Sequence, residues 1–243
     1  MTRTPTILYV DFTCPWSYLA HRRLALLSAD GMDVEVRAVE HEPKPSHLGL
    51  AGDDDFQCLR EEVARVEQAL LPGESLPMKL RGFVPSTRAA VWAYAESYGA
   101  GVADIAAPIL FESYWRHGVD LGKPAVVRVL LAEAVMAGTS PSDPLRRWGY
   151  CVDVTGGPMT SLAWRLVRAW RHQWTELEKE VVPVLLPETG DIRYGVDAVD
   201  QLGQLLQERG IDPSAQPVWP HPGTRPPLDG HGRTQILHPL GAA

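Results

Sequence analysis

The stretch DFTCPWSYLA, residues 11–20, joins an apolar run to the start of a helical pattern. The run TILYVDF, residues 6–12, predicts a short buried strand. Pro15 stands where a first helical residue would, and its missing N–H costs nothing there. Apolar residues then recur with a helical period up to Ala29, and an alternating segment after Gly31 predicts a second strand. A strand–helix–strand segment of this length predicts a right-handed βαβ motif with parallel strands.

A long block without strand periodicity follows this βαβ unit. Helical patterns predict helices over residues 61–71, 86–98, 102–117, 124–137, 144–150 and 160–181. The later stretch VVPVLLPETGDIRYGV, residues 181–196, holds two short apolar runs around a turn and predicts a hairpin. A last helix is predicted over residues 197–209. The order βαβ, helices, ββα predicts an α/β protein with a thioredoxin fold and a large all-helical insertion.

This order also predicts how the chain divides into domains. Residues 1–45 and 178–210 form a discontinuous thioredoxin-like domain, and residues 46–177 form the helical insertion domain. Residues 211–243 are rich in proline and glycine, and we expect an extended tail over the body or a partly disordered one.

Composition and charge exclude several classes of partner. The net charge of −7 argues against nucleic acid, since affinity for the phosphate backbone comes from lysine and arginine. No apolar run has the length of a membrane span or a signal core, so we expect a reducing cytoplasm and no membrane partner. The histidines and the three cysteines show no metal-ligand spacing, so no metal is predicted and no histidine receives a role.

Cys14 is the candidate nucleophile, because the start of a helix stabilises a thiolate and lowers the pKa of the thiol. The alternative is an inert buried cysteine. Ser17 stands where a redox pair would carry its second cysteine, and its hydroxyl can bond the thiolate or a bound thiol; alternatively it is an ordinary first-turn residue. A self-contained dithiol cycle is therefore disfavoured. Whether Cys58 or Cys151 resolves a mixed disulfide stays open.

The same residues resemble the DsbA-like family of the thioredoxin fold, especially its FrnE-like branch. That branch typically shows Asp-x-x-Cys-Pro-Trp-Cys-Tyr, and the matching residues here are Asp11, Cys14, Pro15, Trp16 and Tyr18. Residues 107–134 resemble the family's inserted helical domain, and residues 182–184, Val-Pro-Val, resemble its Val–cis-Pro loop. Ser17 is the departure, since serine at this position is typical of the related 2-hydroxychromene-2-carboxylate isomerases and kappa-class glutathione transferases.

The resemblance implies roles for residues around the thiol. It implies that Pro183 is cis and lies opposite Cys14, so that Val182 exposes its backbone for pairing with a ligand; the alternative is a trans proline at a strand start. Asp197 lies where glutathione-type sites meet the glutamyl end of the ligand, or it simply suits the helix dipole. Two further residues, Pro15 and Trp16, flank the thiol and shape access to it.

Asp11, three residues before Cys14, has two possible roles. It is either a buried proton acceptor for the cysteine chemistry or a strand-end carboxylate that bonds the turn.

Three functions follow from these residues. The first is a thiol–disulfide oxidoreductase that acts through Cys14 with an external low-molecular-weight thiol, similar to glutathione or mycothiol. The second is a thiol-cofactor-dependent isomerase or transferase for a small aromatic or apolar substrate beneath the helical insertion. The third is a non-catalytic thioredoxin-like binding module. A homodimer is compatible with the sequence, which leaves the oligomeric state open.

Overall fold

A computed structural model of the chain describes residues 5–41, 53–138 and 149–215. Its strands form one mixed sheet in the order β2-β1-β3-β4, in which β1 pairs parallel with β2 and antiparallel with β3, and β3 pairs antiparallel with β4. The strands are β1 (Thr6–Val10), β2 (Val34–Ala38), β3 (Val184–Leu186) and β4 (Arg193–Tyr194). This is the α/β thioredoxin fold that the sequence predicts.

Helices lie before, inside and after the insertion. The first, α1 (Pro15–Ala29), connects β1 to β2, and the last, α7 (Val196–Glu208), follows β4 and packs against α1. Between β2 and β3 the described residues form α2 (Asp53–Gln68), α3 (Arg88–Gly99), α4 (Ala103–Trp115), α5 (Pro124–Ala137) and α6 (Ser161–Thr175). None of the helices described is long and apolar enough to cross a membrane.

Several element boundaries differ from the predicted ones. Strand β1 ends at Val10, not at residue 12. Helix α2 begins eight residues before position 61. Among its residues with described side chains, Leu59, Val63 and Val66 are buried, and its first half is mostly polar, so it escapes a search for apolar periodicity. Helix α6 ends at Thr175, not at residue 181, because a turn and two bends at residues 176–178 lead the chain toward β3. The predicted helix over 144–150 and the tail beyond 215 lie outside the described residues, apart from positions 149 and 150.

The sheet register brings two distant segments together. Strands β1 and β2 are parallel, so their carboxyl ends lie at the same edge of the sheet. Strand β3 runs the other way, and its first residue, Val184, pairs with Tyr9 near the end of β1. The segment that leads into β3 therefore lies beside the turn that follows β1, which carries Cys14.

The insertion packs directly on that turn. Phe12 contacts the rings of Tyr94 and Phe111 edge-on, at centroid distances of 5.7 Å and 5.0 Å, and Tyr18 stacks on Phe111 at 5.4 Å. The indole N–H of Trp115 donates to the Phe12 carbonyl at 3.1 Å. Helices α3 and α4 thus share one core with the thioredoxin part and form a wall behind the cysteine turn.

Candidate active site

Cys14 is the N-cap residue of α1. Its backbone is extended, at φ −86° and ψ 122°, and its sulfur accepts a hydrogen bond from the Ser17 N–H at 3.4 Å, while Pro15 opens the helix. The thiol is half-buried and donates to the Val182 carbonyl at 3.7 Å. One sulfur therefore joins the helix N-terminus to the segment before β3.

Ser17 supports this sulfur from inside the helix. Its side chain is completely buried, and its oxygen accepts a hydrogen bond from the Asp11 N–H at 3.3 Å. Hydrogen bonds from the Ser17 side chain and backbone to the sulfur lower the pKa of Cys14. The serine hydroxyl thus lies within hydrogen-bonding reach of the sulfur.

Burial outweighs these hydrogen bonds in setting the pKa of Cys14. The net effect raises the pKa to about 12: desolvation of the sulfur raises it most, the Ser17 hydrogen bonds lower it, and the nearby charges of Glu62 and Asp11 add smaller upward shifts. The sequence-based prediction of a lowered pKa is therefore wrong for this structure. The helix terminus favours the thiolate, but removing the sulfur from water costs more. Burial thus favours the protonated form of the Cys14 thiol.

The Val182–Pro183 peptide bond lies directly opposite the thiol and is cis. Val182 is largely buried, and its carbonyl points at the Cys14 sulfur. The Pro183 carbonyl accepts a hydrogen bond from Gly195 N–H at 2.8 Å, which joins this loop to the start of α7. The structure therefore brings Cys14, Ser17, Val182 and Pro183 together.

Asp11 is a buried carboxylate that joins three segments. One oxygen accepts from the N–H and hydroxyl of Thr13, both at 2.9 Å. The other accepts from the His41 N–H at 2.8 Å and the Thr87 hydroxyl at 3.1 Å. Its described partners are thus the cysteine turn, the end of β2 and the start of α3, and the thiol is not among them. This arrangement favours the interpretation of Asp11 as a turn carboxylate over that of a proton acceptor.

Trp16 and Asp197 lie at the margins of the site. Trp16 is mostly buried, with 8% of its surface exposed. Asp197 is exposed in the first turn of α7, two residues after Gly195. It lies on the cis-proline side of the molecule, and no described hydrogen bond connects it to the thiol.

His41 is a site residue that the sequence analysis missed. Its ring Nε2 lies 3.1 Å from the Glu180 carbonyl, two residues before Val182, and its ring meets that of Trp174 edge-on at 5.9 Å. The signal for it was present, because a residue just after β2 must lie at the edge of the sheet where the cysteine turn begins.

The other two cysteines are free and differ in environment. Cys151 is completely buried, donates to the Val127 carbonyl at 3.7 Å within the insertion, and burial raises its pKa to about 12. Cys58 is exposed on α2. Cys151 is thus a core residue, which argues against a resolving role. Within the described part of the chain, no group of three or more His, Cys, Asp or Glu side chains could hold a metal ion.

Comparisons with known proteins identify the fold. No protein-family model and no curated protein matches the chain. Among solved structures, 2-hydroxychromene-2-carboxylate isomerase is similar with 19% identity and a TM-score of 0.55, over 85% of this chain and 95% of that chain. A probable DsbA oxidoreductase from Streptomyces coelicolor is similar with 17% identity and a TM-score of 0.57, over 85% and 90%.

The cytosolic disulfide reductase DsbM from Pseudomonas aeruginosa is also similar. It has 16% identity and a TM-score of 0.56, over 84% of this chain and 100% of that chain. The same protein solved with GSH gives 15% identity and a TM-score of 0.53, over 86% and 100%. The chain thus has the DsbA-like thioredoxin fold with its helical insertion.

Proposed function

We propose that this chain, built on the DsbA-like thioredoxin fold, is a thiol–disulfide oxidoreductase that works through Cys14 alone and uses an external small thiol. The observation that supports it is the contact of the Cys14 sulfur, at the N-terminus of α1, with the Val182 carbonyl before cis-Pro183. Ser17 occupies the position of a second thiol. We place the protein in a reducing cytoplasm.

The proposed reaction has two exchange steps. The Cys14 thiol loses its proton and attacks a disulfide RSSR, a Cys14–SR bond forms, the S–S bond of RSSR breaks, and RSH leaves with a proton. A second small thiol then attacks the mixed disulfide and releases Cys14–SH together with a new disulfide. Electrons pass from the small thiol to RSSR, so the cycle needs no metal.

Ser17 explains why the second step needs an external thiol. Its hydroxyl can donate a hydrogen bond to the mixed disulfide, but it cannot displace the bound sulfur. Glutathione is the first candidate, because a solved relative by fold, DsbM, contains GSH; a mycothiol-like thiol has the same chemistry. The Val182 backbone would pair with the peptide-like part of such a thiol.

The experiment is intact-protein mass spectrometry after incubation with oxidised glutathione. We expect one glutathione adduct, on the peptide that contains Cys14, and its loss when reduced glutathione is added. The adduct should disappear in Cys14→Ser and persist in Cys58→Ser.

The matched variant is Ser17→Cys, which restores a pair of thiols. In this variant the adduct should not accumulate, and an internal disulfide should form instead. A wild-type chain in which Cys14 stays unmodified while the exposed Cys58 reacts would contradict the proposal.

A second candidate function is an isomerase that uses a bound thiol cofactor. It is favoured by the raised pKa of Cys14, since a protonated protein thiol leaves the attacking role to the cofactor's own sulfur, and by the fold shared with 2-hydroxychromene-2-carboxylate isomerase. In an assay with that isomerase's substrate and glutathione, Cys14→Ser should retain activity. Complete loss in Cys14→Ser would exclude this candidate.

A further inference from the structure

The segment before cis-Pro183 has three consecutive carbonyls, and a side chain bonds each of them. The Glu180 carbonyl lies 3.1 Å from the ring Nε2 of His41, and the Val181 carbonyl accepts from the indole N–H of Trp174 at 2.9 Å. The Val182 carbonyl accepts from Cys14 at 3.7 Å. Because a carbonyl oxygen only accepts, His41 must donate through Nε2–H.

The two ring donors support each other. The rings of His41 and Trp174 meet edge-on at 5.9 Å, and the Arg171 guanidinium lies 5.0 Å over the Trp174 ring. Arg171 also donates to the Glu40 carbonyl, directly before His41. The end of α6 therefore holds both Glu40, two residues after β2, and the segment before β3.

The backbone of His41 is held separately from its ring. Its N–H donates to the buried carboxylate of Asp11 at 2.8 Å, at the other end of the cysteine turn. A change of the His41 side chain therefore leaves this anchor in place. The ring itself contributes the hydrogen bond to Glu180 and the edge-on contact with Trp174.

We infer, on the premise of the proposed function, that His41 and Trp174 are positioning residues that hold the Glu180–Val182 backbone for recognition of the thiol substrate. Neither residue is assigned contact with the reacting sulfur. With the segment held, the Val182 carbonyl faces the sulfur and its backbone is ordered for pairing with a ligand. If the Glu180–Val182 segment is not held, a ligand must order it on binding. The Cys14 thiol then also loses the Val182 carbonyl that accepts its proton.

This arrangement predicts opposite effects on two reactions of Cys14. In His41→Ala, exchange with oxidised glutathione should slow by about tenfold or more, because the docking segment is misplaced. Alkylation by iodoacetamide should accelerate roughly twofold or more, since the sulfur becomes less buried and the neutral thiol loses the carbonyl that accepts its proton. Iodoacetamide needs no backbone pairing and reports on the thiol alone.

The experiment measures both rates on the Cys14 peptide by mass spectrometry, in a Cys58→Ser background. His41→Gln, whose amide N–H can reach the Glu180 carbonyl, should restore both rates. His172→Ala, an exposed histidine on α6, should leave both unchanged. Trp174→Phe keeps an aromatic ring, removes the second donor and should change both rates in the same directions as His41→Ala.

Each outcome decides the inference. Unchanged rates in His41→Ala, a parallel fall of both rates, or a failure of glutamine to restore them would overturn it. If the wild type does not exchange with oxidised glutathione, the proposed function fails. The alkylation rates then decide the positioning role alone, which stands only if alanine accelerates and glutamine restores the wild-type rate.

Discussion

At the scale of single residues, Cys14 is subject to two opposing effects. The N-terminus of α1 and two hydrogen bonds from Ser17 favour the thiolate, whereas burial favours the neutral thiol, and burial prevails. Cys14 differs in this respect from a catalytic thiol that is already deprotonated in the free enzyme. The reactivity of Cys14 therefore depends on how a bound substrate changes the burial of its sulfur.

The pH dependence of Cys14 alkylation tests this balance. Because the pKa of Cys14 is raised to about 12, the thiolate fraction should grow with pH across the whole accessible range. The rate with iodoacetamide should rise about tenfold per pH unit from pH 7 to 9.5, while free cysteine levels off near its own pKa of about 8.5. A plateau for Cys14 below pH 9 would show that the helix terminus outweighs burial.

At the scale of elements, the site depends on how β4 turns into α7. Gly195 is the N-cap of α7, and its N–H donates to Pro183, so the turn and the cis-proline loop are joined. Its backbone has φ +56° and ψ −122°, a conformation that side chains with a Cβ rarely adopt. The turn thus needs glycine for its backbone and not for space, since an added Cβ would meet nothing within 4 Å.

Replacement of Gly195 measures that conformational cost. Gly195→Ala should lower the free energy of unfolding by about 1–3 kcal/mol, because alanine is strained at this φ. Gly82→Ala is the matched control: Gly82 also has open space around it but no positive φ, so its effect should be small. Equal stabilities of the two variants in urea unfolding would contradict the role assigned to Gly195.

At the scale of the whole molecule, a buried ion pair joins the thioredoxin part to the insertion. Arg23 on α1 pairs with Glu74 at 2.6 Å, and both side chains are almost completely buried. The guanidinium also donates to the Val199 carbonyl of α7 at 3.0 Å and to the Ala69 carbonyl after α2 at 2.8 Å. One arginine therefore connects α1, α7 and the segment that follows α2.

Removing one charge of this pair should destabilise the protein strongly. Glu74→Gln keeps the shape but leaves the arginine buried without its counter-charge, so the free energy of unfolding should fall by about 3–5 kcal/mol. The control is Asp30→Asn, which removes a partner of Arg209 in a partly exposed pair at 2.9 Å. There the loss should stay below about 1 kcal/mol. Similar losses in the two variants, measured by urea unfolding, would contradict the importance of burial.

The sequence by itself determined the order of elements and the positions of most site residues. Apolar periodicity and turn residues are local signals, so the βαβ unit, the hairpin and the helix of residues 124–137 could be read from the chain. The pairing of Cys14 with the Val182–Pro183 segment followed from a motif resemblance. The first half of α2 escaped because its sequence is mostly polar and shows no apolar period.

Only the tertiary structure decided the state of the thiol and the residues that surround it. The pKa of Cys14 depends on how much protein encloses the sulfur, and the enclosing groups come from segments up to 168 residues away along the chain. His41 joined the site for the same reason, since no local pattern shows that its ring reaches Glu180. Burial and long-range hydrogen bonds belong to the packed chain, whereas periodicity and turns are properties of neighbouring residues.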